Sequence, residues 1–220
     1  MKIICHETEH PWISIEDFYD QQELAFIWEE LEFLSYPWKL LPPDDTNSAV
    51  EYGEILKQNN GVFLDTVYHN RRYSNILSAN RKVRTCTSNS IKEKGKLKIL
   101  QNHDNWFFKR FRCYDDFTLL SYYENEDYYK PHEDSACITA LTWLYKEPKR
   151  FTGGDLIFPD TNEVVECKNN KTILFPSSIT HQVTEVKMDE KYRGKRLGRW
   201  CITQMLYSDS KQPSDYPKNL

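Results

Sequence analysis

The chain has 220 residues and a formal net charge of −4, with 39% hydrophobic and 28% charged side chains. That length buries roughly 70% of the unfolded surface and suits one domain with elaborations. The acidic balance argues against a general nucleic-acid or membrane-surface role, no apolar run approaches the about 18 residues of a membrane span, and six scattered cysteines without a CxxC pair point to reduced thiols and a cytoplasmic setting.

The opening MKIICHETEHPW has no signal-peptide core and reads as a short apolar run, Met1 to Ile4, followed by a Pro-bearing turn. Asp20 with Glu23 predicts a helix start, and Leu24, Ile27, Trp28, Leu31 and Leu34 then recur at helical spacing through Ser35. Pro42-Pro43-Asp44-Asp45 is a turn, with polar residues to about Gly61. The stretch VFLDTVYHNRRYSNILSANRKV reads as an apolar run and then a helix ending near Asn80, with Arg71-Arg72 read as a solvated helix face in preference to a substrate-steering cluster. Residues 85–105 are polar and Lys-rich, with mobility expected at Ser88–Lys96. Residues 1–105 are thus expected to form a helical support region, and 106–210 a β core, within one domain.

From Phe117 the texture changes to short strand-like runs: Thr118–Tyr123, Ala136–Tyr145, Asp155–Phe158, Glu163–Cys167, Thr172–Phe175, His181–Val186 and Arg199–Tyr207. Turn residues separate them, among them Gly153-Gly154 and Asn169-Asn170. So many short strands without intervening helices predict a mainly β fold, a sandwich or jelly roll of two facing sheets, buttressed on one face by the N-terminal helices.

Within this region lies His132-Glu133-Asp134. On an extended chain His132 and Asp134 share a face and Glu133 points away, so an imidazole and a carboxylate can address one metal ion. Alone, HxD is a weak signal that arises readily by chance. One histidine follows it, His181 in FPSSITHQVTEV. A single histidine is ordinarily a satisfied surface or core residue. Here His132, Asp134 and His181 together supply two imidazoles and one carboxylate, a set that suits non-haem iron(II) and leaves coordination positions open.

The last run, RWCITQMLY, places Arg199, Cys201, Thr203 and Met205 on one strand face. Arg199 either faces solvent or faces inward, and inward it is a costly buried charge unless a ligand carboxylate meets it. A guanidinium binds a carboxylate bidentately, and Thr203 can add a hydrogen bond from the same face.

In order, the chain presents Tyr122, the HED triplet, the CITALTWLY strand, GGDLIF, FPSSITHQVTEV and the terminal RWCIT strand. This series, spanning about residues 117–207, resembles the iron(II)/2-oxoglutarate-dependent oxygenases, and within them the prolyl 4-hydroxylase-like branch. The resemblance implies a double-stranded β-helix, a cupin-like jelly roll. It also implies iron held by His132, Asp134 and His181, and 2-oxoglutarate held through its distal carboxylate by Arg199 with Tyr122 and Thr203. Trp143 falls where some members carry a tyrosine that touches the cosubstrate; lacking that hydroxyl, it is expected only to wall the pocket. Arg196 is a rival anchor that lies outside the RxxxT spacing. The implied cofactor and cosubstrates are Fe(II), 2-oxoglutarate and O2, with ascorbate as an optional reductant. Because Asp134 stands where related halogenases carry a small residue, hydroxylation is expected.

The first substrate hypothesis is a prolyl residue of a peptide or protein, approached through Tyr122, Tyr123, Tyr128 and Tyr129. The alternatives are another side chain, a small molecule or a modified base, or a catalytically silent jelly-roll binding module. RWCITQMLY lacks the paired arginines of the base-repair branch, and a silent module predicts a broken triad or anchor, whereas all four positions are filled.

Overall fold

The structure is a computed structural model that describes residues 1–36, 39–85 and 95–208. The chain opens on a hairpin of β1 (Lys2–Glu7) and β2 (Pro11–Glu16), where the sequence predicts only an apolar run and a turn. In β2, Trp12, Ile13, Ser14 and Ile15 are all buried, because both faces of this strand are covered. With no solvent face, the alternation that normally betrays a strand is missing.

The first helix follows as predicted. In α1 (Gln21–Leu34), Asp20 accepts the Glu23 N–H at 2.8 Å while Glu23 accepts the Asp20 N–H at 2.9 Å, a reciprocal cap. Ile27, Leu31 and Leu34 bury one face. β3 (Val50–Glu51) and β4 (Glu54–Ile55) make a small hairpin, and β5 (Asn60–Phe63) joins the main sheet. The single helix expected up to Asn80 is instead broken into α2 (Leu64–Val67), α3 (Asn75–Ala79) and short 3-10 turns. The breaks fall at Asn70 and Ser74, whose side chains accept the N–H groups of Arg72 and Leu77 and so compete with helix continuation. Buried Glu30 fastens α3 to α1, accepting from Ser74 Oγ at 2.7 Å and from the Ile76 N–H at 2.8 Å. Of the segment expected to be mobile, residues 88–94 lie outside the described residues. α4 (Trp106–Arg110) closes the N-terminal half.

The core strands are β6 (Asp115–Tyr123), β7 (Tyr129–His132), β8 (Ile138–Leu144), β9 (Phe151–Thr152), β10 (Leu156–Phe158), β11 (Glu163–Val165), β12 (Lys171–Pro176), β13 (His181–Val183), β14 (Lys187–Met188) and β15 (Arg199–Tyr207). They form an antiparallel seven-stranded sheet, β1-β2-β12-β8-β15-β6-β5, facing a four-stranded sheet, β11-β10-β13-β7. β9 and β14 make a separate pair. This is the jelly roll expected, but the N-terminal region supplies three of its strands rather than helices alone. Leu120, Ile138 and Ile202 of the large sheet pack against Ile27 and Leu31 of α1, whereas Trp143, Phe175 and Ile173 pack against Leu156 and Phe158 of the small sheet. Covered on both sides, β8 is buried at every position. No helix among the described residues is long and apolar enough to cross a membrane, and Cys5, Cys113, Cys137, Cys167 and Cys201 are free thiols.

Arg71 is not on a solvated face. It grips Asp116 of β6 through two hydrogen bonds of 2.9 and 2.8 Å and reaches Asp65 at 3.2 Å, while Arg84 and Gln204 also bind Asp116. Burial alone would raise the Asp116 carboxyl, but the hydrogen bonds and charge of Arg71, with Arg84 and Gln204, overcome this and hold it below the ordinary range. A depressed carboxyl contributes stability that is present above its unfolded pKa of about 3.9 and is lost as pH falls through the folded value. Asp116→Asn is therefore expected to lower unfolding stability by about 2–4 kcal/mol at pH 7. Urea titrations at pH 7 and pH 3 check this, and the gap from wild type should narrow at the lower pH.

Candidate active site

The small sheet brings two histidines together. β7 and β13 pair with His132 opposite His181, and the ring centroids lie 4.3 Å apart. Each imidazole is oriented in the same way: Nδ1 lies 2.8 Å from the Lys130 carbonyl in His132 and 2.9 Å from the Ile179 carbonyl in His181. A carbonyl only accepts, so each Nδ1 carries the proton and each Nε2 presents a lone pair. Both Nε2 atoms face Asp134, at 3.8 Å from Oδ1 for His132 and 3.6 Å from Oδ2 for His181. The ligand atoms of all three residues lie within 4.8 Å of one another.

β7 ends at His132, so strand alternation does not place Asp134. Its backbone N–H donates to the Ser177 carbonyl at 3.0 Å, and its Oδ2 accepts from Thr139 Oγ1 at 2.6 Å, with Thr139 in turn 2.8 Å from Ser177 Oγ. Tyr129 stacks on the His132 ring at 3.5 Å and accepts the Ala49 N–H on its hydroxyl, while Phe175 meets His181 edge-on. Burial, and then the neighbouring His181, press the pKa of His132 down to about 4, so it is a neutral donor near pH 7.

Arg199 opens β15 with 0% exposure, and its Nε, Nη1 and Nη2 have no hydrogen-bond partner among the described residues. The guanidinium lies 4.5 Å from the Tyr123 ring and 5.8 Å from that of Trp143. Gly154, at φ +72°, makes room for it, because a Cβ there would stand 2.7 Å from Arg199 Cδ. The triad and Arg199 open into one cavity of about 350 Å³, shared with Tyr123, Thr203 and Lys57. Burial lowers the pKa of the Lys57 ammonium to about 8, against the opposing charge of Asp134.

Two expected contacts, those of Tyr122 and Trp143, need correction. Tyr122 faces away from the cavity: it packs on Trp200 at 4.6 Å, and its hydroxyl accepts the Gly198 N–H at 3.0 Å. Tyr123 takes the inward position because register sets it directly opposite Arg199. Trp143 is fully buried, packs beside the guanidinium and does not line the cavity. Thr203 lines the cavity, and Glu133 sits exposed at its rim. Arg196 lies over the Tyr122 ring at 5.2 Å, outside the cavity. Reasoning from sequence set Tyr123 on the substrate approach but not beside Arg199, because that pairing is a matter of register. It also missed Thr139, Ser177 and Lys57, which no motif marks.

The donor set fits a metal ion, with two imidazole nitrogens and one carboxylate oxygen converging and the far side open to the cavity. The orphaned guanidinium in the same cavity fits a carboxylate. Residues 117–207 match the model of the 2OG-Fe(II) oxygenase superfamily. Among the solved structures that share the fold, three are similar as follows. A Pseudomonas putida prolyl-4-hydroxylase is 15% identical, with 90% of this chain and 93% of that one covered at a TM-score of 0.54. A Trichoplax adhaerens prolyl hydroxylase in complex with a hypoxia inducible factor oxygen degradation domain peptide fragment is 12% identical, with 90% and 83% covered at 0.54. A Burkholderia pseudomallei oxidoreductase of the 2OG-Fe(II) oxygenase family is 10% identical, with 90% and 86% covered at 0.54. No curated protein matches the chain.

Proposed function

We propose that this chain is an iron(II)- and 2-oxoglutarate-dependent dioxygenase that hydroxylates a prolyl residue of a peptide or protein. The observation that carries the reading is the fully buried guanidinium of Arg199, without a hydrogen-bond partner among the described residues, in the same cavity as the His132, Asp134 and His181 cluster. Bound iron(II) supplies the oxidative decarboxylation of 2-oxoglutarate to succinate and CO2 and the transfer of one oxygen atom of O2 to a substrate C–H bond.

The protein's part is binding, orientation and shielding. His132 and His181 offer Nε2, held in the correct tautomer by the Lys130 and Ile179 carbonyls. Thr139 donates to Asp134 Oδ2 and so would orient the carboxylate toward a metal held with the two histidines. Arg199 receives the distal carboxylate, with Thr203 beside it and the Tyr123 ring shielding the ion pair from water. Tyr123 and Tyr129 give the cavity aromatic walls suited to an apolar pyrrolidine ring. The fold shared with two prolyl hydroxylases, one of them holding a peptide, favours the same substrate class.

The test is incubation with iron(II), 2-oxoglutarate, ascorbate and Pro-containing peptides, followed by mass spectrometry. A peptide gaining the mass of one oxygen atom, with equimolar succinate, is the expected result. Succinate formed without such a gain on any peptide would move the substrate out of the prolyl class.

A further inference from the structure

Beside β7 runs a second extended segment, residues 56–58. Lys130 donates its N–H to the Leu56 carbonyl at 2.8 Å, and Gln58 donates to the Tyr128 carbonyl at 3.0 Å, so Lys57 is held opposite Tyr129 at the edge of the small sheet. Its side chain is only 3% exposed and lines the cavity of the triad and Arg199. The ammonium makes one hydrogen bond among the described residues, a long one of 3.3 Å to the Thr46 carbonyl, and stands 5.7 Å from the centre of the Tyr129 ring. No carboxylate of the described residues forms an ion pair with it. An ammonium taken out of water with most of its donor capacity unused is costly to bury, and a ligand anion is the natural means of offsetting that cost.

The proposed iron and cosubstrate do not supply this anion. The two positive charges of iron(II) are matched by Asp134 and the metal-bound carboxylate, and Arg199 is matched by the distal carboxylate. Lys57 is then left, among the described residues, as a buried cation without an ion-pair partner of its own in the cavity. Glu133, the other carboxylate lining the cavity, sits exposed at the rim in water.

We propose that Lys57 binds a carboxylate of the substrate, so that the oxidised C–H bond belongs to an acidic molecule, such as a prolyl peptide with an adjoining acidic residue. This rests on the oxygenase reading above and narrows its substrate class. Lys57 is a specificity residue that selects and orients the substrate, not a ligand of the metal or of the cosubstrate. Its place on a segment hydrogen-bonded to β7 fixes the anion site relative to His132, which ends the same strand.

The experiment uses the full chain loaded with Mn(II) and 2-oxoglutarate, which assembles the site without turnover. Binding is measured for two matched probe pairs: short prolyl peptides differing only as Glu against Gln beside the proline, and a small aliphatic carboxylate against its primary amide. Wild type is expected to favour the carboxylate of at least one pair by roughly tenfold or more. Lys57→Met should erase that preference, Lys57→Arg should keep it, and 2-oxoglutarate affinity should stay the same in all three, which also shows that the variants are folded. Equal affinity within both pairs, including no measurable binding of any probe, overturns the proposal. So does a Lys57→Met variant that keeps the preference or that loses 2-oxoglutarate affinity. Failure of wild type to bind 2-oxoglutarate with Mn(II) at all would instead remove the oxygenase reading and this inference with it.

Discussion

His132→Ala and Asp134→Ala are each expected to abolish iron(II)-dependent succinate formation while leaving the fold in place. Each removes one of three converging donors, and two donors do not hold a labile divalent ion against water. The loss should exceed the roughly 10–100-fold weakening typical when only a ligand's hydrogen-bond partner is disturbed. Thr139→Ala supplies that lesser case, since it releases Asp134 Oδ2 and leaves Asp134 itself in place. The fold should persist because His132 and Asp134 sit at and just beyond the end of β7, whereas the two large clusters of apolar side chains lie elsewhere. Metal titration followed by succinate assay, with circular dichroism as the fold check, makes the comparison. Full turnover in either alanine variant would sink the metal assignment.

Arg199→Met is expected to separate binding from stability. Without its guanidinium, the cavity loses the group proposed to meet the distal carboxylate, and 2-oxoglutarate affinity should fall by about 2–5 kcal/mol, that is roughly 30-fold or more. In ligand-free protein the sign reverses. Arg199 is a buried charge with no hydrogen-bond partner among the described residues, and replacing such a group with an apolar side chain of similar length is often neutral or stabilising. The variant should therefore melt at or above the wild-type temperature without ligand, yet gain much less from added 2-oxoglutarate. Arg196→Ala is the control: its guanidinium lies over Tyr122, outside the cavity, so affinity should hold. A larger loss in Arg196→Ala than in Arg199→Met would move the anchor.

The contrast between Tyr122 and Tyr123 shows where reading the chain stops. Both are aromatic, both lie on a segment correctly predicted as a strand, and alternation dictates that they face opposite sides. Which one faces the cavity follows from the pairing of Tyr123 with Arg199 across β6 and β15, and a shift of one residue would exchange them. Lys57 is a similar case. In sequence it is one lysine in a polar stretch, and its burial comes from backbone bonds to residues about seventy positions later.

The amino-acid order by itself determined the β-rich core, the capped helix at Gln21–Leu34 and the chemical set of two imidazoles, one carboxylate and a strand-borne arginine. These are legible because caps, alternation and ligand type are local properties of neighbouring residues. Only the tertiary structure decided that Arg199 points inward without a hydrogen-bond partner among the described residues, that Tyr123 rather than Tyr122 lines the cavity, that Arg71 is bound to Asp116 and that Lys57 reaches the cavity. Each of those outcomes depends on register and on contacts between segments far apart in the chain, for which sequence spacing carries no physical constraint.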